Sequence, residues 1–117
     1  MSDTYKNNDL TLEVEEKPDV IEIHFIGRST DREPGTFLNP IFNELLDKNK
    51  KILMNFNKME YMNSSTITPI LKVLDKVKNT TREIKIIYPK DLRWLELTFS
   101  ALEIFQTDDK RIEIVGA

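Results

Sequence analysis

KILMNFNKMEYMNSSTITPILKVLDKV, residues 51–77, changes its hydrophobic period once. Up to Phe56 it is short, apolar and bounded by polar residues, the pattern of a largely buried strand. Further on, Ile67, Ile70, Leu71, Leu74 and Val77 fall on one helical stripe. A strand feeding directly into a helix is half of a βαβ unit, so this passage points to an α/β fold. Between the two lies EYMNSSTIT (60–68), with Asn63, Ser64, Ser65 and Thr66 in succession. A single capping side chain suffices for a helix start, because its oxygen accepts from an orphan N–H of the first turn. Four consecutive polar residues exceed that need.

The flanking chain extends the pattern. Residues 1–9 show no periodicity and are expected to be a flexible tail ahead of one domain, 10–117. Leu12 and Val14 alternate with Thr11, Glu13 and Glu15, the period of a strand with one wet face. Lys17-Pro18-Asp19 makes a turn, and residues 20–26 alternate again, with Ile21, Ile23 and Phe25 opposite Glu22 and His24. Gly27 is expected to end that strand, and RSTDREPG (28–35) to form a loop. From Thr36 a helix is predicted, with Leu38, Ile41, Phe42, Leu45 and Leu46 on its buried stripe and Pro40 tolerable only near its first turn. Residues 83–88 read as a strand stopped by Pro89, and 91–98 as a third helix turning Leu92, Leu95 and Phe99 inward. A helical turn over 101–105 and a last strand over 111–115 complete the order β-β-α-β-α-β-α-β, a mixed, mostly parallel sheet of about five strands.

Composition bounds the function. With 117 residues, 39% apolar and 32% charged, the chain suits one folded domain. No apolar run approaches the roughly 20 residues of a membrane span, and MSDTYKNNDL lacks the pattern of a signal peptide. The absence of cysteine is compatible with a reducing, cytoplasmic setting. A net charge of −3 without a basic block argues against nucleic acid, and Lys48, Lys50 and Lys51 read as a solvated linker.

Catalytic signatures are missing. The three glycines, Gly27, Gly35 and Gly116, cannot build a P-loop or a dinucleotide fingerprint. The single histidine, His24, lies on the polar side of a strand, where a solvated imidazole is the simpler reading than a general base for Ser64. No cofactor or metal is implied, and the chain reads as a non-enzymatic protein. Trp94 is open to two readings, packing or anchoring a partner.

What the hydroxyl run can do is hold charge. Backbone N–H groups and the macrodipole at a helix start favour an anion, and a phosphate on a serine there adds about −1.5 to −2 charges. Pro69 bears on where that helix begins. Inside a regular helix its ring clashes with the carbonyl of Ser65 and removes a hydrogen bond. The sequence therefore predicts an irregular or 3₁₀ turn over 63–65, an exposed Ser64, and regular helix from Thr66 or Ile67.

The passage 52–77 resembles the central strand–loop–helix of STAS domains, the family of anti-sigma factor antagonists. Its members read apolar strand, polar link, an aromatic or apolar pair, then Asp-Ser-Ser/Thr-Gly and an amphipathic helix. Here those positions are Tyr61-Met62 and Asn63-Ser64-Ser65-Thr66, with Asn for Asp and Thr for Gly. DLRWLELTFSALEIF (91–105) resembles the family's third helix and the apolar turn after it. The resemblance implies phosphorylation of Ser64, with Ser65 the alternative, by a serine kinase that also acts as an anti-sigma-type partner, and reversal by a phosphatase. It implies a partner-binding surface around Asn63, Ser64, Ser65, Thr66 and Tyr61; Arg28 and Arg32 of the 28–35 loop are expected to flank it at the same edge of the sheet, a solvated loop being the other reading. Asn63, Gly27-Arg28-Ser29 and Phe37-Leu38-Asn39-Pro40-Ile41-Phe42 are also similar to the SiaC-type regulators, which implies a diguanylate cyclase as another possible kind of partner. A constitutive interaction domain of the same fold is the alternative, favoured by Asn63 and Thr66.

Overall fold

The computed structural model describes residues 2–107, 109 and 111–116, with Trp94 described in its backbone only. The choice between packing and partner anchor for the Trp94 side chain therefore lies outside the described residues. The strands are β1 (Ser2–Asn7), β2 (Leu10–Glu16), β3 (Val20–Ser29), β4 (Lys51–Met62), β5 (Ile84–Tyr88) and β6 (Ile112–Gly116). The helices are α1 (Pro34–Leu46), α2 (Ser64–Lys78) and α3 (Arg93–Ala101), the last running into a 3₁₀ turn at Leu102–Phe105. All six strands join one sheet in chain order, β1-β2-β3-β4-β5-β6. The pairs β1–β2 and β2–β3 are antiparallel; β3–β4, β4–β5 and β5–β6 are parallel.

Each parallel step is a crossover in the same direction, and crossovers are right-handed, so the three helices share one face of the sheet. Burial agrees. Ile52, Met54 and Phe56 of β4, Ile84, Ile86 and Tyr88 of β5, and Ile112 and Ile114 of β6 are buried, while the residues alternating with them are not. Leu38, Ile41, Phe42, Leu45 and Leu46 of α1 are all buried, as their spacing predicts. On α2 the buried stripe is Thr66, Pro69, Ile70, Val73, Leu74 and Val77, rotated so that Ile67 and Leu71 are only partly covered. An aromatic chain runs through the core. Phe25 stacks on Phe56 with centroids 4.1 Å apart, Phe56 meets Phe99 at 4.7 Å, and Phe99 stacks on Tyr88 at 5.2 Å.

Five expectations need correction. Residues 2–7 are not a loose tail but strand β1, paired with β2 from Ser2↔Glu15 to Asn7↔Leu10, so the sheet has six strands rather than about five and the order opens β-β-β-α. Asn8, at φ 56°, makes the turn that joins them, a left-handed conformation asparagine tolerates. Tyr5 packs against the core, and its neighbours on that side, Asp3 and Asn7, are polar, which hides the alternation. Second, β3 does not stop at Gly27, nor β4 at Phe56. The two run on together to Ser29 and Met62, with register shifts between His24 and Ile26 and between Gly27 and Arg28. Each shift gives β4 an extra residue, and at the first of them the Asn55 Oδ1 accepts from the Asn57 amide at 2.9 Å. Gly27 is required by its φ of +94° and because a Cβ there would overlap the carbonyl oxygen of Asp9. Third, Leu92 is 38% exposed, since it precedes α3 rather than forming part of its stripe.

The fourth correction is the start of α2. The helix begins at Ser64 with Asn63 as its N-cap, not at Thr66 or Ile67. The Thr66 amide is held twice, by the Asn63 backbone oxygen and by its Oδ1, both at 3.1 Å. The carbonyl deprived of a partner by Pro69 is that of Ser65, an exposed residue, where solvent offsets part of the loss. Pro40 is likewise inside α1, and both it and Thr36, whose carbonyl it leaves unbonded, are exposed. The lysine linker is also less free than expected: Lys48 and Lys50 hold Glu16 of β2 at 2.6 and 2.7 Å.

Candidate functional site

At the end of the sheet where β3 and β4 finish, the chain enters α2 through Asn63. The Asn63 amide N–H donates to the Ser29 carbonyl at 3.0 Å, so the cap is reached directly from the last pairing of the two strands. Its side chain is used at both ends. Nδ2 donates to the Asp31 carbonyl at 2.7 Å, and Oδ1 accepts from the Thr66 amide and from the Thr66 hydroxyl at 2.8 Å. Thr66 Oγ1 lies 2.7 Å from Ser29 Oγ. Because the Thr66 proton is directed at Asn63, the Ser29 hydroxyl is the donor in that second bond. Thr66 and Ser29 are both buried, at 0% and 2% exposure, and neither hydroxyl is left unpaired.

The network reaches the N-terminal strand. Asn7 Nδ2 donates to Asp31 Oδ2 at 3.1 Å, and the Glu33 amide approaches Asp31 Oδ1 at 3.4 Å. These bonds, that from Asn7 first, hold the Asp31 carboxyl below its ordinary range. Asn7, Ser29, Asp31, Asn63 and Thr66 thus form one hydrogen-bonded frame under the start of α2. Sequence reasoning missed Asn7 and Asp31, which have no motif and lie far from residue 63 in the chain. Ser29 had a signal, its place in Gly27-Arg28-Ser29.

Against this frame the expected site residues separate. Ser64 and Ser65 are the first two residues of α2, both exposed, and neither side chain bonds to another described residue. Thr66, expected to face a partner, is buried and acts from within by fixing the cap. Arg28 and Tyr61 are register partners whose side chains meet, the guanidinium 5.1 Å from the ring centroid. They are exposed while their neighbours Ser29 and Met62 are buried, so they occupy the helix-free side of the same sheet edge. Arg32 is exposed and lines a groove with Ser65 between α1 and α2. His24 is not brought to Ser64: its Nε2 lies 3.3 Å from Glu22 Oε1 on the open face of the sheet, beside the Glu22–Lys17 pair. Nucleophilic use of Ser64 with His24 finds no geometric support among the described residues.

The chain matches no protein-family model and no curated protein sequence. Solved structures do match. An anti-sigma factor antagonist from Mycobacterium paratuberculosis superposes with a TM-score of 0.67 at 13% identity, over 91% of this chain and 93% of that one. The anti-sigma factor antagonist SpoIIAA in its unphosphorylated form gives a TM-score of 0.60 at 14% identity, over 76% of this chain and 81% of that one. The fold is therefore that of the anti-sigma factor antagonists, the STAS fold.

Proposed function

We propose that this protein is a partner-switching regulator whose binding surface is controlled by a phosphate on Ser64. The observation that carries the reading is the division of labour within 63–66. Asn63 and Thr66 are tied inward, whereas the Ser64 hydroxyl is exposed and unbonded on the first residue of a well-capped helix. A phosphate there meets unpaired backbone N–H groups and the positive end of the helix dipole, which favour it. It also adds about −1.5 to −2 charges to a surface that a partner must desolvate. In this reading a serine kinase that doubles as an anti-sigma-type partner adds the phosphate, a phosphatase removes it, and the output is transcriptional. No described helix is long and apolar enough to cross a membrane, and the setting we propose is cytoplasmic.

A second reading has its own support. Asn63 donates through Nδ2 to the Asp31 carbonyl, which the family's carboxylate cannot do, so the asparagine is integral to this site. Asparagine before the acceptor is the SiaC-type pattern, and it favours a signalling enzyme such as a diguanylate cyclase as the partner. The test is intact mass and peptide mapping of protein purified from its own cells, together with capture of partners on Ser64→Ala and Ser64→Asp baits. One added phosphate on Ser64 and at least one partner that distinguishes the baits are expected. Equal affinity of every partner for both baits, with no modified protein, would sink the switch and leave a constitutive binding domain. The identity of the captured enzyme separates the first reading from the second.

A further inference from the structure

Beside the hydroxyl run a groove of about 420 Å³ lies between the N-terminal halves of α1 and α2. Arg32, Thr36 and Asn39 line it from one side and Ser65, Thr68 and Lys72 from the other. Gly35 and Pro69 close-pack within it: a Cβ at Gly35 would stand 2.9 Å from Asn39 Nδ2 and 3.7 Å from Pro69 Cγ. Its charge is unlike that of the whole. The chain carries −3, yet the groove presents Arg32 and Lys72 against Glu33 alone. Neither cation forms a salt bridge with any described residue, as holds for most of the described lysines and arginines. The positive run continues along the seam of α1 and α2 into a smaller hollow that Lys72 shares with Lys76. Beyond Lys76 the lining is mixed in charge, with Asp47 and Asp75 beside Lys76 and Arg82.

We propose that this groove seats an acidic segment of a protein partner, its carboxylates engaging Arg32 and Lys72. An extended segment fits better than a free anion because the cations stand on opposite walls and recur along the seam. The guanidinium fork of Arg32 suits a carboxylate, and Lys72 supplies a mobile point charge. Negative charge placed on Ser65, or on its neighbour Ser64, then competes for the same cations. That second half rests on the phospho-switch reading; the first half does not.

The test is an NMR titration of the full unmodified chain, following backbone amides. The probes are a blocked Glu-Asp-Glu-Asp-Glu peptide, its Gln-Asn-Gln-Asn-Gln counterpart, and inorganic phosphate. Saturable shifts confined to residues 32–39 and 65–76 are expected with the acidic peptide and not with the neutral one. Affinity should fall by about tenfold in Arg32→Gln/Lys72→Gln, two exposed pairs lost together, and by a similar factor in Ser65→Glu, each with an unchanged urea midpoint. Shifts scattered over all surface lysines and indifferent to these variants would overturn the proposal, as would saturable binding of phosphate without the peptide. Because the protein is unmodified throughout, failure here spares the Ser64 switch. Conversely, a chain never phosphorylated on Ser64 can still bind the peptide.

Discussion

Asn63 meets three groups with one amide, and its substitution is the most informative change at the residue scale. Aspartate would still cap α2, but it cannot donate, and it would set a carboxylate against the Asp31 carbonyl. Asn63→Asp should therefore cost about 1–3 kcal/mol, read as a lowered urea midpoint at neutral pH. Thr66→Gly should also destabilise, since it strands the buried Ser29 hydroxyl and weakens the helix. The two departures from the family pattern touch each other, so a double-mutant cycle should show coupling of about 0.5–3 kcal/mol, and strict additivity would refute the shared frame. Ser64 is exposed as the sequence led one to expect, but not through the irregular turn over 63–65 on which that expectation rested, since α2 begins at Ser64 itself. The frame beneath it was not legible in the sequence. Asp31 acts through a backbone carbonyl, which no side chain announces, and Asn7 belongs to a segment without apolar rhythm.

At the scale of elements, the two helical prolines differ in what surrounds them. Pro40 is exposed inside α1, and alanine there would restore the amide donor to Thr36 without losing core contacts. Pro40→Ala should stabilise the protein by about 1–3 kcal/mol in urea denaturation. Pro69 is buried near Gly35, so its replacement should gain less. A second device joins β2 to the segment between α1 and β4. The Glu16 carboxyl is held down to about 2 from 4.5, first by its bond to Lys48 and then by that to Lys50. A depressed carboxyl contributes stability above its unfolded value and loses it as pH falls toward the folded one. The urea midpoint should thus drop between pH 4.5 and about 2, and Glu16→Gln should flatten that limb. Asp109, held near 2 by the Thr107 hydroxyl and then by Arg111, leaves a residual slope in the same window. Helix α1 was readable because its whole stripe is apolar. Strand β1 was not, because Tyr5 alone carries its buried side, nor was the far half of β4. That half pairs with β3 alone, β5 reaching only as far as Asn55, so it is polar enough to pass for a link.

For the molecule as a whole, the aromatic chain from Phe25 to Tyr88 ties β3, β4, α3 and β5 together under the helices. Phe56 sits at its centre with no exposure, and Phe56→Ala should cost about 3–5 kcal/mol, measured by denaturant unfolding. Parallel sheets are ordinarily covered on both faces, yet here all three helices lie on one. The bare face is made tolerable by alternation: Leu53 and Ile87 are half-covered among Glu22, Asn55, Lys85 and Glu113. The same topology has a temporal consequence. Every strand after β1 is bonded to the strand made immediately before it, although β3, β4 and β5 each wait for a helix to be made before their next partner follows. The antiparallel pairs β1–β2 and β2–β3 close short loops, whereas each parallel pair must first close a helical crossover, as from Val20 to Lys51 and from Ile52 to Ile84, so the parallel half should form later. On a ribosome, such a chain can lay down its sheet one strand at a time, each new strand docking onto an edge that is already formed.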